Sequence, residues 1–215
     1  MKPDRRRPGR PPADTSDQRE RLLDAALARF VDAGVAASNL REIARAAGVT
    51  PALVNYYFGG KDALVAAVFA ERFLPAFSEL PASLANTSAE ALIPAFVRGV
   101  YAGVARHPWL PALWVREILT PGGAFREAMM TDAAPKLAPL LVHRFAELQR
   151  TGRLNADLDP RLMIVSLIGL TLFPLAAKPV WSRLFDATDI TPDLMTQHTL
   201  ALLTRGLEMP DEPAP

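Results

Sequence analysis

The sequence contains no cysteine among its 215 residues, and this absence excludes disulfide bonds, thiolate metal sites and cysteine nucleophiles. A chain without cysteine suits a reducing compartment, so we expect a cytoplasmic protein. Long apolar runs are missing too. The longest uncharged run covers residues 162–177, which is shorter than the roughly 20 apolar residues of a membrane-spanning helix. No apolar run follows the N-terminal arginines, so we expect no signal peptide and no membrane partner.

Catalytic and metal-binding patterns are also missing from the sequence. The three histidines, His107, His143 and His198, are far apart and lack the spacing of metal ligands. There is no G-x-S-x-G nucleophile motif, and the Gly60-Lys61 pair lacks the rest of a phosphate-binding loop. We therefore expect neither an enzyme nor a cofactor-binding protein.

Charge is unevenly placed along a chain whose net charge is only +1. Residues 1–61 hold eleven Lys and Arg against seven Asp and Glu, whereas residues 62–215 hold thirteen against sixteen. A basic head on a mildly acidic body is typical of a polyanion-binding module joined to a part that does not touch nucleic acid. Half of the residues are apolar, so the chain is globular and can bury a sizeable core.

The stretch over residues 38–64 predicts two short helices joined by a tight turn, followed by the start of a third helix. Asn39, with a glutamate three residues later, predicts the start of the first helix as a capping box. Gly48 falls at the turn, because glycine adopts the left-handed conformation at little cost. Thr50 followed by Pro51 predicts a new helix with a hydroxyl cap. This is a helix-turn-helix pattern, whose second helix enters a DNA major groove.

At these positions the chain resembles the TetR/AcrR family of transcriptional regulators. The residues that carry the resemblance at fixed spacing are Ile43-Ala44, Ala47-Gly48-Val49-Thr50, Tyr56-Tyr57-Phe58, and Lys61 with Leu64. The resemblance covers residues 18–64 and implies an all-α fold. In that fold an N-terminal three-helix helix-turn-helix DNA-binding domain precedes a larger C-terminal helical ligand-binding and dimerisation domain.

We expect three regions along the chain: a basic flexible arm over residues 1–15, a helix-turn-helix DNA-binding domain over 16–60, and a helical regulatory and dimerisation domain over 61–210. Apolar spacing predicts a first helix that begins near residue 16 or 17 and ends before residue 34. A fourth helix should begin near Gly60 and end or kink at Pro75. The further predicted helices cover residues 88–106, 108–119, 123–150, 160–177 and 191–207.

Some residues in the second helix of the helix-turn-helix pattern do not belong to its apolar packing face, so they are candidates for contacting DNA. They are Thr50, Pro51, Ala52, Asn55 and Tyr56. The amide of Asn55 can form a bidentate pair with adenine, and Pro51 or Ala52 can lie against a thymine methyl group. The hydroxyls of Thr50 and Tyr56 suit phosphate oxygens. These five positions are therefore the predicted base-reading and backbone-binding surface.

Further DNA contacts come partly from the resemblance, which adds Ser38 and Tyr57 as backbone contacts. Tyr57 is equally suited to the core. Lys61 begins the fourth helix, where a cation opposes the helix dipole, so we expect it to bind a phosphate rather than to be merely solvated. In the arm, two interpretations stay open for its four arginines: contacts to a minor groove or phosphates, and a solvated tail. The four arginines of the arm are Arg5, Arg6, Arg7 and Arg10.

The last two predicted helices, at residues 160–177 and 191–207, are the expected dimer surface. Residues 162–173 are apolar nearly all round the helix, which indicates burial on more than one side. TetR-like proteins pair through their last two long helices, and these two match by position. A homodimer is expected because a single helix-turn-helix reads few bases. The alternative is a core helix of a monomer.

The middle helices are expected to hold a pocket for a small-molecule effector whose identity the sequence does not give. The candidate ligand-binding residues are Phe96, Trp114, Arg116, Phe125, Met129 and His143. Aromatic and soft side chains with a few polar groups can line such a cavity. For each of them, ordinary core packing is the alternative.

We therefore predict a DNA-binding transcriptional regulator that acts as a homodimer on a palindromic double-stranded DNA operator. The resemblance implies a repressor that a small hydrophobic ligand releases from DNA. One alternative is an effector-independent helix-turn-helix dimer that recruits a protein partner, which a filled central cavity would favour. An all-α enzyme would need a convergent polar site that the sequence does not show.

Overall fold

The computed structural model describes residues 15–207, which form α-helices and π-helical turns with no strand among them. The all-α prediction is therefore confirmed over this range. The helices are α1 (Thr15–Ala33), α2 (Leu40–Ala46), α3 (Pro51–Phe58), α4 (Lys61–Val68), α5 (Pro75–Ala85), α6 (Leu92–Arg106), α7 (Leu110–Leu113), α8 (Arg126–Ala128), α9 (Ala134–Arg150), α10 (Pro160–Ala176), α11 (Lys178–Leu184) and α12 (Pro192–Leu207). The π-helical turns are π1 (Phe69–Phe73), π2 (Trp114–Leu119) and π3 (Met129–Ala133). The four predicted arginines of the arm lie outside the described residues.

The chain divides into two compact units between Val68 and Phe69, here called the head and the body. The expected boundary was at residue 60, at the start of α4. The observed division falls at the end of α4 because this helix packs against α1 and α3. Its apolar face completes the core of the head, whose largest buried side chains are Leu22, Leu23, Phe30, Ile43, Val54 and Leu64.

In the head, α1, α2 and α3 follow the helix limits that the sequence predicts, whereas α4 ends at Val68, before the predicted Pro75, because π1 begins there. Helix α1 ends directly before Gly34, which has a φ of +84°. The side chain of Asn39 accepts a hydrogen bond from the backbone N–H of Glu42 at 2.9 Å, so the predicted cap of α2 forms. The Glu42 carboxylate pairs instead with Arg29 at 2.7 Å, which joins α2 to α1.

The core of the body forms where α6 packs against α5, α10 and α12, and where α9 packs against α10. Helices α5 and α6 approach closely at Gly99, since a Cβ added there would collide with the side chain of Leu80. The buried Tyr101 of α6 and Thr199 of α12 share a hydrogen bond of 3.0 Å between their hydroxyls. Burial raises the pKa of Tyr101, and this hydrogen bond offsets part of the rise. The central side chains of this core are Leu92, Phe96, Val97, Leu141, Phe145 and Leu167.

The helices of the body differ from the sequence prediction at two points and agree with it at a third. The predicted helices at 108–119 and 123–150 are not continuous, because π2 and π3 interrupt them. Helix α11 has no predicted counterpart, since seven residues with a proline near the start carry too short a periodic pattern. The predicted break near residue 74 is confirmed, since α5 begins at Pro75.

Within residues 15–207, no single helix combines the length and apolar character needed to cross a membrane. Helices α10 and α11 pass that test only as a pair, by length and composition, and a bend of 67° separates them. The same range contains no group of three or more His, Asp or Glu side chains that could hold a metal ion.

Candidate DNA-binding surface

Helix α3 is short, and backbone geometry fixes both of its ends. Gly48 adopts a φ of +68° in the turn that precedes it, and Pro51 occupies the first turn of the helix. Gly59 ends the helix with a φ of +75°, and its N–H donates to the carbonyl oxygen of Asn55 at 2.8 Å. These glycines take a left-handed conformation that other residues adopt only with strain. Helix α3 is therefore held at a defined length.

One side of α3 is buried and the opposite side is open. Val54 is fully buried in the head core, whereas Pro51, Ala52, Asn55 and Tyr56 are exposed. Tyr56 keeps 78% of its surface accessible, which is unusual for a large apolar ring. Positions 51 and 52 lie one turn before positions 55 and 56, at separations of three to five residues, so their side chains share one side of the helix. The structure thus brings together the four residues of α3 that we predicted to read DNA.

Thr50 occupies the N-cap position of α3, but the predicted hydroxyl cap is wrong. The Thr50 side chain makes no capping hydrogen bond within the described chain. The N–H of Leu53 donates instead to the backbone carbonyl of Thr50 at 3.0 Å, which satisfies the group that the hydroxyl would have bound. Thr50 is exposed, so its hydroxyl is open to contacts outside the chain.

The structure assigns packing roles to the two residues that the resemblance had added. Ser38 is only 2% exposed, and its hydroxyl donates to the carbonyl oxygen of Gly34 at 2.7 Å. This bond fastens the end of α1 to the start of α2, and a contact of Ser38 with DNA stays a prediction. Tyr57 is partly buried and its hydroxyl donates to Gln18 Oε1 at 3.2 Å, which joins α3 to α1.

Lys61 already has one partner within the head. Its Nζ donates to the carbonyl oxygen of Ala36 at 3.2 Å, and the side chain is partly buried. A lysine ammonium carries three donors, so this contact positions the group without using it up. A phosphate contact by Lys61 stays a prediction.

Sequence reasoning missed two arginines on α2. Arg41 and Arg45 are both exposed and lie four residues apart, on the side of α2 opposite its buried Ile43 and Ala44. The same helical spacing that revealed the buried face would have found them, because cations in a helix-turn-helix unit favour phosphate contacts. Nothing in the local pattern could have found Gln18, because Tyr57 lies 39 residues away along the chain.

The candidate ligand-binding residues of the body fall into two groups. Arg116 and His143 are exposed, so they do not line an enclosed cavity. Trp114 and Phe125 belong to a continuous set of ring contacts that we call the aromatic cluster. Its members are Phe69, Phe73, Phe77, Trp109, Trp114 and Phe125, with ring centroids 5.2 to 6.2 Å apart between neighbours.

The other two candidates, Phe96 and Met129, are buried apolar residues. Phe96 lies in the main core of the body rather than in the aromatic cluster. Met129 begins π3, and its N–H donates to the carbonyl oxygen of Phe125 at 2.9 Å. Ordinary packing accounts for both positions, and their contact with a ligand stays a prediction.

Glu117 is a buried carboxylate beside the aromatic cluster. The side chain is 4% exposed, and its Oε2 accepts a hydrogen bond from the N–H of Ala124 at 3.1 Å. The Glu117 carbonyl oxygen accepts a second bond from the N–H of Phe125 at 3.0 Å. Gly123 leaves no room for a Cβ against this carbonyl. These contacts hold the loop after π2 against π2 itself.

A polar cleft elsewhere in the body is a structural junction rather than a binding site. It is lined by residues 87–89, 144, 147–148 and 153. Arg144 donates to the carbonyl oxygens of Ala85 at 3.2 Å and Thr87 at 2.5 Å, so it caps the end of α5. Arg153 pairs with Glu90 at 2.6 Å. Both cations of the cleft therefore already have partners.

Helices α10 and α12 each expose apolar side chains on one face and bury the other. The exposed residues of α10 include Leu162, Val165 and Phe173, and Phe173 is 68% accessible. Those of α12 include Leu194 and Leu202. The opposite sides are buried at residues such as Leu167 and Leu203. The expectation that α10 is buried on more than one side would be met only if a partner covered the open face.

Two family models match the chain, one in each unit. The model described as bacterial regulatory proteins of the tetR family matches residues 22–68. The model described as the C-terminal domain of the HTH-type transcriptional dual regulator CecR matches residues 89–207, which is more than half of the chain. The head match contains the whole of α2, α3 and α4, and the body match contains the aromatic residues Trp109, Trp114 and Phe125.

The curated relatives are also transcriptional regulators. SrpR of Pseudomonas putida is 38% identical over 90 residues, which are 41% of this chain and 42% of SrpR. TtgW, an uncharacterized HTH-type transcriptional regulator also from Pseudomonas putida, is 38% identical over 90 residues, which are 41% of this chain and 67% of TtgW. The chain thus spans less than half of SrpR and about two thirds of TtgW.

A solved structure resembles the chain over nearly its whole length. NalD, the secondary repressor of the MexAB-OprM multidrug efflux pump in Pseudomonas aeruginosa, superposes with a TM-score of 0.67. Its sequence is 26% identical, and the superposition covers 90% of this chain and 97% of NalD.

Proposed function

The chain belongs to the TetR family of transcriptional regulators, and from this premise we propose that it is a repressor that binds a palindromic operator as a homodimer and leaves it when a small hydrophobic ligand binds. Regulation through DNA binding is the property that its relatives share. The repressor role, the dimer and the release by a ligand are the parts that we propose.

The observation that carries the proposal is the open face of α3. Asn55 and Tyr56 are exposed side by side on a helix whose other side is anchored by Val54. An asparagine amide matches the donor and acceptor pattern of adenine in the major groove. The tyrosine hydroxyl and the neighbouring Thr50 can bind phosphate oxygens, which set the register of the helix on DNA.

The paired arrangement is supported by the open apolar faces of α10 and α12. Side chains such as Phe173 and Leu162 would lose their contact with water if a second copy covered them. A symmetric dimer would present two copies of α3 to half-sites separated by one turn of DNA, about 34–36 Å. Such a dimer accounts for why α10 is apolar on the side that its own chain leaves open.

The repressor role and the release by a ligand are supported by NalD and by the aromatic cluster. NalD is a repressor, and its fold matches this chain over most of the body. In our proposal a ligand stabilises one of two states of the dimer, in which the two copies of α3 no longer match successive major grooves. A ligand shifts that equilibrium only as far as it binds the two states with different affinity.

A gel-shift titration with DNA from upstream of the protein's own gene tests the DNA-binding part. We expect Asn55→Ala to weaken binding by about tenfold or more, because a lost bidentate base contact is worth roughly 1–3 kcal/mol. Tyr56→Ala should weaken binding through the loss of a phosphate contact. The control is Lys136→Ala, which removes an exposed cation from α9 in the body and should leave the affinity unchanged. Equal affinities for all four proteins would contradict the proposal.

A thermal-shift screen with hydrophobic compounds tests the release by ligands. Each compound that raises the melting temperature of the protein is then added to the protein–DNA complex. We expect such compounds to lower the affinity for the operator. If stabilising compounds leave operator binding unchanged, ligand release is wrong and the effector-independent dimer is favoured.

A further inference from the structure

Trp114 carries a buried hydrogen-bond donor that has no partner. Its indole Nε1 is inaccessible to water and finds no acceptor among residues 15–207. Trp181 shows the contrasting case, because its Nε1 donates to the carbonyl oxygen of Pro174 at 2.7 Å. Native proteins pair nearly all of their buried polar groups, so an unpaired one calls for an acceptor that the chain itself does not supply.

The rings around Trp114 form an apolar wall that the protein covers only in part. The Trp114 ring lies 5.7 Å from the ring of Phe77, which in turn lies 5.3 Å from Phe73. Trp109 contacts the same Phe73 at 6.2 Å. Phe77, Trp109 and Trp114 are all partly buried, so each keeps accessible apolar surface. Aromatic walls with one or two placed polar groups are typical of small-molecule sites.

Trp114 is presented by a backbone that is unusual and firmly held. It is the first residue of π2, and π-helical turns are rare features that occur frequently at functional sites. The N–H of Thr120 closes this turn on the carbonyl oxygen of Val115 at 3.0 Å. Arg126 donates to the carbonyl oxygen of Ile118 at 2.8 Å and caps the same turn. The backbone that carries Trp114 is therefore held in place before any ligand arrives, which lowers the entropic cost of binding one.

The apolar surroundings of this donor restrict the ligand. The neighbouring rings of Phe77 and Trp109 carry no charge. A carboxylate or a phosphate that left water to lie against them would lose its hydration without a compensating charge, which is costly. An uncharged oxygen acceptor is moved out of water at a lower cost.

We propose that Trp114 Nε1 donates a hydrogen bond to the effector, and that the effector is an uncharged apolar compound with a carbonyl or ether oxygen. The apolar part of the compound lies against Phe77 and Trp109. This inference rests on the proposed function, in which the body binds an effector.

Two probes matched in shape test the donor directly. 2-Acetylnaphthalene has a carbonyl oxygen where 2-ethylnaphthalene has a methylene group. We expect the ketone to bind about tenfold more tightly than the hydrocarbon in calorimetric titration, which is the effect of one well-placed hydrogen bond. In Trp114→Phe, which keeps an aromatic ring but loses the N–H, the two probes should bind equally.

Nuclear magnetic resonance provides a second readout that reports on the N–H itself. The chain has three tryptophans, so a 15N–1H spectrum shows three indole signals. Substitution of each tryptophan by phenylalanine assigns them. We expect the ketone to shift the Trp114 indole proton downfield, whereas the hydrocarbon leaves it close to its position in the free protein.

Trp181→Phe is the matched control, because it removes an indole N–H that does have a partner. Its melting temperature should fall, since the Pro174 carbonyl loses its donor, and its preference for the ketone should persist. Trp114→Phe should lower the melting temperature less than Trp181→Phe does, since the donor that it removes is unpaired.

The inference is overturned if the wild-type protein binds both probes equally or binds neither. It is also overturned if Trp114→Phe keeps the preference for the ketone, or lowers the melting temperature as much as Trp181→Phe does. These measurements contain no DNA. If the ketone binds through Trp114 but leaves operator affinity unchanged, the inference holds and the ligand-release part of the proposed function fails.

Discussion

The head and the body of this protein place their proposed functional residues in opposite ways. In the head, the residues that we propose to contact DNA lie exposed on one short helix, whose other side packs against the head through Val54. In the body, the aromatic cluster is wholly or partly buried and draws its members from π1, π2, α5 and the loops around them. Side chains that contact a long, rigid DNA duplex must protrude from the protein surface, whereas the side chains of a small-molecule site must surround the ligand.

This difference explains why the exposed surface of the head can be predicted from local sequence, whereas the aromatic cluster of the body cannot. The limits of α3 are set within about ten residues of chain by Gly48, Pro51 and Gly59, and turn chemistry of that kind is local. Phe125 contacts Phe69 across more than fifty positions of sequence.

Truncation of the aromatic cluster should produce the largest effect. Phe125 is fully buried between the rings of Phe69 and Phe73, so Phe125→Ala should lower the free energy of unfolding of the body by about 3–5 kcal/mol. Urea titration followed by circular dichroism measures this loss. Phe185→Ala is the control, since Phe185 is 70% exposed. Equal losses in both variants would show that the cluster is not part of a packed interior.

Breaking the open face of α10 should separate the subunits while leaving the fold of each chain intact. Phe173→Glu places a charge where we propose that a second copy packs, so the dimer dissociation constant should rise by about 100-fold or more. Sedimentation equilibrium gives this constant, and circular dichroism reports the helix content. Leu119→Glu introduces the same charge at another exposed apolar position and should leave the dimer unaffected. A dimer that tolerates both changes would refute the proposed interface.

Two hydroxyl deletions in the head should separate packing from DNA binding. Ser38→Ala removes a buried donor to Gly34 and should cost about 1 kcal/mol in the free energy of unfolding, with operator affinity unchanged. Thr50→Ala removes an exposed hydroxyl without a capping bond, so stability should stay within about 0.5 kcal/mol while operator affinity falls a few-fold. Chemical denaturation and gel shifts on both variants measure the two effects. The reverse pattern would mean that Ser38, rather than Thr50, faces DNA.

The smallest effect concerns the start of α10, where Arg161 holds the pKa of the Asp159 carboxyl down to about 2 through its hydrogen bonds. When the pKa of a carboxyl group is lower in the folded than in the unfolded protein, the ionised group stabilises the fold at pH values above its ordinary pKa near 4. This contribution is lost as the pH falls from about 4 toward 2. Asp159→Ala should therefore be less stable than the wild-type protein at pH 6, with a gap that narrows below pH 4. Urea titrations at pH 6, 4 and 3 follow the gap, and a gap independent of pH would show that the carboxylate does not act through its charge.

The sequence predicts the fold class, α1 to α3 and the exposed face of α3, because each depends on interactions between near neighbours in the chain. The prediction that the Thr50 hydroxyl caps α3 was wrong, because the backbone carbonyl of Thr50 accepts the hydrogen bond from the Leu53 N–H that the hydroxyl would have accepted. The π-helical turns and α11 had no periodic signal of their own. The buried position of Glu117 and the pairing of Tyr57 with Gln18 depend on tertiary contacts, which no local pattern encodes.

The most direct measurement is a hydroxyl-radical footprint of the protein on the operator that the gel shifts identify. We predict two protected stretches related by the two-fold symmetry of the operator, with centres about one helical turn, 10–10.5 base pairs, apart, and we predict that Asn55→Ala weakens both equally. A single protected stretch without a symmetric counterpart, or protection that Asn55→Ala leaves unchanged, would contradict the account that two copies of α3 read the DNA.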